Sequence, residues 1–318
     1  MAVHLSCAPV RIERVLVVLN NSIYSDNALS YSLALAAYLN ARLYLLRFLP
    51  PVDNAALGSN GEKSAPEYCD ATEYFTKLEA SQKLASVEHL TLIKPGTVPQ
   101  VVSEAINESS IDVIVTGSDE KGYMGGSTGC RAEDLLEAVS CPVITVRPGT
   151  SSMSITPSFQ HILCATDFSV GSVRALFYGL LLANKSHGSI GLLHVMKCKG
   201  TPPGDGENGS QQRAVEKLYG LIPEESDSYV TPHTILRFGA PPAREIISIA
   251  DEEHADLITM GIHKTRRSTI SKYLPQGVAY YVLRHARCPV LTVCGRAGLR
   301  SQTEVGSYIS KGRLPYAE

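Results

Sequence analysis

The sequence has little net charge, no paired cysteine motif and no long apolar run. Its 318 residues carry 29 basic and 31 acidic side chains, a balance that gives no reason to expect general binding to nucleic acid or to anionic membranes. The eight cysteines contain no Cys-x-x-Cys pair, which argues against a zinc site or a disulfide framework and fits a reducing cytosol. No apolar stretch is long enough to span a membrane, and residues 1–6 lack the pattern of a signal peptide. We therefore expect a cytoplasmic protein that binds no metal, nucleic acid or membrane.

The common catalytic motifs are also missing. The chain has no Gly-x-x-x-x-Gly-Lys-Ser/Thr phosphate loop and no Gly-x-Gly-x-x-Gly followed by a distant acid. Ser22 and Ser169 lack the surroundings of a nucleophile elbow. We assign no catalytic residue and expect a protein that is not an enzyme.

What the sequence does contain is an internal repeat. Residues 162–169 open the second half as residues 15–22 open the first, and residues 287–293 close it as residues 140–146 close the first. The repeated unit is roughly 145 residues, far longer than a solenoid repeat, so each copy is predicted to be a domain of its own.

The domain boundaries follow from composition. Residues 148–158 are rich in Pro, Gly and Ser and are typical of a linker. We predict domains over residues 11–148 and 159–295, followed by a poorly ordered tail over residues 296–318, which show no periodicity.

Each half alternates short apolar runs with helical patterns. Residues 15–19 are predicted to form a buried strand, Ser25 to cap the next helix, residues 50–70 to form a long loop, and residues 73–86 a helix. The full order is β-α-β-α-β-α-β-α-β in both halves. This order predicts an α/β fold of two tandem doubly wound domains, each a five-stranded, mostly parallel sheet with helices on both faces.

In such a sheet, ligands bind outside the carboxyl ends of the strands. Asp167 follows the first strand of the second half, where a carboxylate can accept hydrogen bonds from a ribose hydroxyl or an adenine amino group. The alternative is that Asp167 only turns the chain or caps the next helix. We interpret His194 as a packed core residue, and Cys141 and Cys288 as small buried hydrophobic residues at strand entries.

The order and spacing of several stretches are specific when taken together. They are residues 162–169, 192–195, 239–247, 255–261 and 282–293, with weaker counterparts at 111–117 and 141–143. Through them both halves resemble the universal stress protein domain. The resemblance implies a five-stranded α/β fold, pairing of two such domains and, in some members, ATP bound without a conventional catalytic reaction.

The ATP-binding members carry Gly-x-x-Gly, then about nine residues, then Gly-Ser or Gly-Thr, because only glycine lets backbone N–H groups come close to phosphates. In the second half Gly261 is present, Lys264 stands at the second glycine position, and Gln276-Gly277 replaces Gly-Ser. In the first half Asn20 replaces the aspartate and Glu120 stands at the second glycine position. A glutamate facing phosphate would repel it, so we expect the first half to have a structural role.

The resemblance therefore implies a nucleotide site in the second half. Thr166, Asp167 and Val195 would hold the nucleoside, while Gly261, Lys264, Gly277 and Val278 would approach the phosphates. The basic loop over residues 264–272 fits cations that have taken over from glycine N–H groups. Its alternatives are a solvated loop or a surface for a protein partner.

Our leading interpretation is a tandem universal stress protein that acts in stress response as a regulatory, non-catalytic protein, with ATP or another adenine nucleotide as its cofactor. Its two domains are expected to form an intramolecular pseudo-dimer through the Cys-Pro-Val strands, with a homodimer as a further possibility. One alternative is an interaction scaffold that has lost nucleotide binding. The other is a weak ATPase, although no residue stands out as a base that would activate water.

Overall fold

The computed structural model describes residues 10–20, 22–49, 65–118, 132–147, 157–196, 208–222, 230–238, 241–262 and 277–295. The chain divides into two compact units. The first, here the N-terminal unit, covers residues 12–157, and the second, here the C-terminal unit, contains the described residues from Ser158 onwards together with residues 10 and 11.

The N-terminal unit alternates strands and helices along its described residues. The strand order is β3-β2-β1-β4-β5, and every neighbouring pair is parallel. The strands are β1 (Arg14–Leu19), β2 (Arg42–Leu49), β3 (His89–Pro95), β4 (Val113–Gly117) and β5 (Val143–Val146). The helices are α1 (Ile23–Leu39), α2 (Ala65–Ala80), α3 (Val98–Ser109) and α4 (Ala132–Ala138).

The C-terminal unit repeats this plan along its own described residues. Its strand order is β10-β9-β6-β7-β8, again with parallel neighbours. The strands are β6 (His161–Ala165), β7 (Ser189–Met196), β8 (Thr231–Phe238), β9 (Leu257–Ile262) and β10 (Val290–Cys294). The helices are α5 (Val170–Ser186), α6 (Asn208–Tyr219), α7 (Pro242–Glu252) and α8 (Val278–His285). The predicted fold class is confirmed.

The core of each unit lies on its central strands. In the inner strands β1, β4 and β9 nearly every residue is buried, which is why these segments read as continuous apolar runs without alternation. The outer strands β3 and β8 are mostly half-exposed.

Aspartates fasten the start of each first strand to the strand beside it. Asp112 Oδ2 accepts hydrogen bonds from the N–H groups of Glu13 and Arg14, both at 2.9 Å. Asp256 Oδ2 accepts from Gln160 N–H at 2.6 Å and His161 N–H at 3.2 Å. Asp112 and Asp256 occupy equivalent positions in the two halves, and each has a structural role at the amino edge of its sheet.

The structure corrects three local predictions in the N-terminal unit. The N-cap of α1 is Ser22, whose hydroxyl accepts the N–H of Ser25, so the cap lies three residues before the predicted one. Helix α2 begins at Ala65, inside the predicted loop over residues 50–70, because proline is tolerated in the first turn of a helix. The same helix ends at Ala80, before the predicted end at residue 86, and the chain then turns through Gln82, whose φ is 58°.

Candidate functional site

The candidate site lies where the strand order of the C-terminal unit reverses. Strand β6 stands between β7 and β9, so the connections leaving β6 and β9 run to opposite sides. In doubly wound sheets, ligands bind in the crevice outside the carboxyl ends of the strands at this switch point. At this switch point the edge of the sheet is formed by the turn after β6 and by the end of β9.

The turn after β6 is held by side chains of its own. Asp167 is exposed, and its Oδ1 accepts the N–H of Ser169 at 3.0 Å. Ser169 is the N-cap of α5, and its hydroxyl accepts the N–H of Ser172 at 3.3 Å. The chain-turning role weighed for Asp167 is therefore present in the structure. Any contact between its carboxylate and a ligand is still a prediction.

The buried hydroxyl of Thr166 also stabilises this turn. Its side chain is buried, its Oγ1 accepts the N–H of Phe168 at 3.0 Å, and it lies 3.0 Å from the Ser172 hydroxyl with which it shares a hydrogen bond. This hydroxyl is thus engaged within the turn. The hydrogen bonds within the turn account for this side chain, and a direct contact between Thr166 and a nucleoside stays a prediction.

The turn after β1 has the same construction with a different charge. Asn20 Oδ1 accepts the N–H of Ser22 at 3.0 Å, as Asp167 accepts that of Ser169. The Ser22 hydroxyl accepts the N–H of Ser25 at 3.3 Å. Asparagine and aspartate form this type of turn equally well, so the turn itself does not require a carboxylate.

Glycines at the ends of β4 and β9 let a helix approach closely. A Cβ at Gly117 would lie 2.0 Å from the carbonyl oxygen of Tyr24, and one at Gly261 would lie 2.3 Å from the backbone nitrogen of Ser172. Both contacts are with backbone, which cannot move aside as a flexible side chain would. Helix packing therefore accounts for both glycines, and a phosphate contact at Gly261 stays a prediction.

The remaining described site residues stand on β7 and α8. Val195 is half-buried near the end of β7 and is paired with Arg237 of β8. Gly277 is the N-cap of α8 and provides no side-chain cap, and Val278 begins the helix with its side chain exposed. The first N–H groups of α8 are thus left without a cap from the N-cap side chain. Lys264 and the basic loop over residues 264–272 lie outside the described residues, as does Glu120.

His194 contributes more to this edge than its predicted core role. Its ring is half-buried, its Nδ1 lies 2.8 Å from the carbonyl oxygen of Thr166, and its centroid lies 4.5 Å from that of Phe168. The Nζ of Lys217 on α6 lies 5.4 Å from the Phe168 ring centroid. No sequence pattern marked Phe168 or Lys217, because their contact joins elements about fifty residues apart.

In the N-terminal unit the same strand position carries an arginine. Arg47 on β2 is buried, and its guanidinium lies 4.7 Å from the ring centroid of Tyr74 on α2. Burial lowers the pKa of Arg47, while the nearby Tyr74 and Asp70 raise it. Burial also raises the pKa of Tyr74, a change to which the charge of Asp26 adds. A cation–π contact thus occupies the end of β2.

Two cysteines of the C-terminal unit, the buried Cys164 and the half-buried Cys288, are held as thiols. Burial raises the pKa of Cys164 to about 12. Burial, with the charge of Asp256, raises the pKa of Cys288 to about 12. A thiolate is the reactive form of cysteine, so these residues behave as the small hydrophobic groups predicted for Cys288.

The described part of the chain contains neither a metal-binding cluster nor a membrane-spanning helix. No cluster of three or more His, Cys, Asp or Glu side chains there is arranged to hold a metal ion. None of the helices in those segments is both long and apolar enough to cross a membrane.

The geometry can now be set beside known proteins. The sequence pattern of the universal stress protein family matches residues 11–147 and again residues 158–293. The chain belongs to the universal stress protein family. It carries two copies of the family domain in tandem, as the resemblance of its two halves predicted.

Relatives and solved structures agree with this assignment. A universal stress protein of Methanocaldococcus jannaschii is 30% identical over 145 residues, which are 42% of this chain and 82% of that protein. The crystal structure of a universal stress protein from Archaeoglobus fulgidus has a TM-score of 0.65 at 19% identity, covering 89% of this chain and 99% of that one. A putative universal stress protein from Pseudomonas aeruginosa has a TM-score of 0.56 at 15% identity, covering 95% and 98%. At these identities the two structures support the fold alone.

Proposed function

We propose that this universal stress protein acts in stress response without catalysing a reaction, and that its C-terminal unit binds an adenine nucleotide, with ATP as the first ligand to test. The observation that carries the proposal is the exposed carboxylate of Asp167 at the switch point of the sheet. A ligand with ribose hydroxyls or an amino group matches an acceptor placed there.

The comparison between the units supports a role for this charge. Asn20 makes the same turn bond as Asp167, so the carboxylate adds nothing that the fold needs at that bond. The charge of Asp167 is therefore what distinguishes this turn from the turn after β1, and we assign the recognition of the ligand to that charge.

The start of α8 supports the proposal that the phosphates of the nucleotide bind nearby. Its N-cap, Gly277, contributes no side-chain hydrogen bond, and its first turn contains no acidic residue. The N–H groups and positive dipole end of such a helix favour an anion. Thr166, Asp167 and Val195 would lie towards the nucleoside, with Gly261, Gly277, Val278 and the undescribed Lys264 towards the phosphates.

The matched test exchanges the two turn residues. With ATP and magnesium, the melting temperature of the wild-type C-terminal unit is expected to rise, since a ligand at about 100 times its Kd stabilises by about 2.7 kcal/mol. Asp167→Asn should lose this response while melting at the wild-type temperature without ligand, because Asn20 shows that the amide makes the same bond. Asn20→Asp is the control and should leave the ATP response unchanged.

Other outcomes identify the rival functions. An equal ATP response in wild type and Asp167→Asn would show that the nucleotide binds elsewhere. No response to any adenine nucleotide would favour the interaction scaffold. Steady release of phosphate from ATP, lost in Asp167→Asn, would favour the weak ATPase.

A further inference from the structure

The side chain of His194 continues the hydrogen bonding between β6 and β7 beyond the last backbone pair. The paired register of β6 and β7 ends at Ala165 and Leu193, and Thr166 N–H still donates to the Leu193 carbonyl at 2.8 Å. Beyond that point the Thr166 carbonyl oxygen meets the ring of His194, with Nδ1 at 2.8 Å. The next bond of the ladder is therefore made by the imidazole.

The chemistry of this contact fixes the proton on the ring. A carbonyl oxygen accepts only, so Nδ1 of His194 must carry a hydrogen and donate it. Neutral His194 is consequently the Nδ1–H form, and the imidazolium keeps the same bond, since both of its nitrogens are donors. The anchor on Thr166 thus survives a change in the charge of the ring.

The residue after Asp167 is held in an unfavourable backbone conformation by the same ring. Phe168 has φ of 63°, a left-handed value that is uncommon for a residue with a large side chain. Its N–H donates to Thr166 Oγ1 at 3.0 Å, and its ring lies against His194 at 4.5 Å between centroids. Strained residues persist only where their surroundings hold them, and they cluster at ligand sites.

We infer that His194 is a positioning residue, which sets the turn that presents Asp167 by anchoring the residues on either side of it. Its Nδ1–H holds the Thr166 carbonyl before Asp167, and its ring holds Phe168 after it. The functional meaning of this inference rests on the proposed nucleotide site, but the effect on the turn does not. The N-terminal unit shows the contrast, since Arg47 at the corresponding position stacks on Tyr74 of α2.

The test separates the donor from the ring. His194→Phe keeps an aromatic ring and removes the donor, while His194→Asn keeps a donor near the position of Nδ1 and removes the ring. In His194→Phe we expect the amide hydrogens of Phe168 and Ser169 to exchange roughly five to ten times faster, as loss of one hydrogen bond predicts. His194→Asn should restore part of this protection. The Kd for ATP should rise about tenfold in His194→Phe and less in His194→Asn.

The control removes a histidine contact at the opposite, amino ends of β6 and β7. His161 Nδ1 lies 3.1 Å from the Ser189 hydroxyl, so His161→Phe should leave the exchange of Phe168 and Ser169 unchanged. If exchange at the turn is faster in His194→Phe but the wild-type protein binds no adenine nucleotide, the positioning role is supported and the proposed function is rejected. Unchanged turn exchange in His194→Phe, or equally faster exchange in α7 and β8, would overturn the inference, because the histidine would then only fill the core.

Discussion

The turns after β1 and β6 are closed by the same hydrogen bond, which is accepted by the amide of Asn20 in the first and by the carboxylate of Asp167 in the second. Asn20 and Asp167 accept the N–H of the residue two positions on, both at 3.0 Å, and the serines that follow cap α1 and α5 at the same 3.3 Å. The two units therefore share the construction of this edge and differ in the charge that it displays. What the repeat preserves here is folding chemistry, and what it varies is the chemistry offered to a ligand.

A second difference lies one strand away. In the N-terminal unit the strand carries the cation, Arg47, and the helix carries the ring, Tyr74. In the C-terminal unit the ring belongs to Phe168 in the turn and the cation to Lys217 on α6. Arg47 is buried while Lys217 is exposed, so the C-terminal unit keeps its positive charge at the surface beside the candidate site.

The largest effect that tests this comparison is expected at the two packing glycines. Gly117→Ala and Gly261→Ala would each push a methyl group into backbone at 2.0 and 2.3 Å, and we expect each to lower the free energy of unfolding of its own unit by about 3 kcal/mol. Urea denaturation with amide exchange read in each unit measures both. Equal losses would show that these glycines serve the fold in both halves.

Gly209→Ala is the matched control for these substitutions. A Cβ there meets nothing within 4 Å, and alanine favours a helix over glycine by about 0.5 to 1 kcal/mol, so α6 should be slightly stabilised. If Gly261→Ala were as stable as wild type but lost its response to ATP, the glycine would serve the ligand instead.

The next effect in size concerns the aspartates at the amino edges of the sheets. Asp112→Ala and Asp256→Ala each remove the acceptor of two backbone N–H groups, and we expect losses of about 2 kcal/mol in the free energy of unfolding. Asparagine at either position should lose less, since its amide oxygen still accepts. Glu73→Ala, which removes an exposed ion pair with Lys77, should change stability by less than about 0.5 kcal/mol. A loss in only one unit would break the equivalence of the two aspartates.

The effect that is smallest at neutral pH is a loss of stability at alkaline pH, to which Cys164 contributes in the C-terminal unit. Burial raises the pKa of Cys164 from 9.0 to about 12, so above pH 9 the unfolded chain releases a proton that the folded chain keeps. Stability must then fall as pH rises from 9 towards 12, by at most about 1.4 kcal/mol per pH unit for this thiol. Cys164→Val, which installs the residue that Val17 provides in the N-terminal unit, should make this decline shallower in alkaline denaturation. An unchanged slope would show that Cys164 titrates alike in both states.

Much of the fold was predictable because it depends on local patterns. Continuous apolar runs such as residues 15–19 mark buried parallel strands, and the alternation of strands and helices fixes a doubly wound sheet. The predictions failed where the signal was ambiguous. Pro66 suits a loop as well as a first helical turn, so the start of α2 was placed too late. Serine favours an N-cap wherever it stands near a helix start, and the predicted cap, Ser25, lies three residues after the observed one.

The site was less predictable, since its geometry depends on contacts between distant segments. Asp167 was predicted as a site residue from its place after a strand, and the order of β7, β6 and β9 puts it at the switch point. The reason for glycine at position 261 is the backbone of Ser172, which no local pattern reveals. His194 was interpreted as core because a histidine in an apolar run gives no sign of the carbonyl that its ring will meet.

The shared turn bond has a consequence for how such a duplicated protein can change. Because an amide and a carboxylate fit that bond alike, exchanging one for the other leaves the scaffold intact, and either half is one substitution away from the charge of its sister. A tandem chain built in this way can change the charge that either copy displays without first passing through a form that fails to fold.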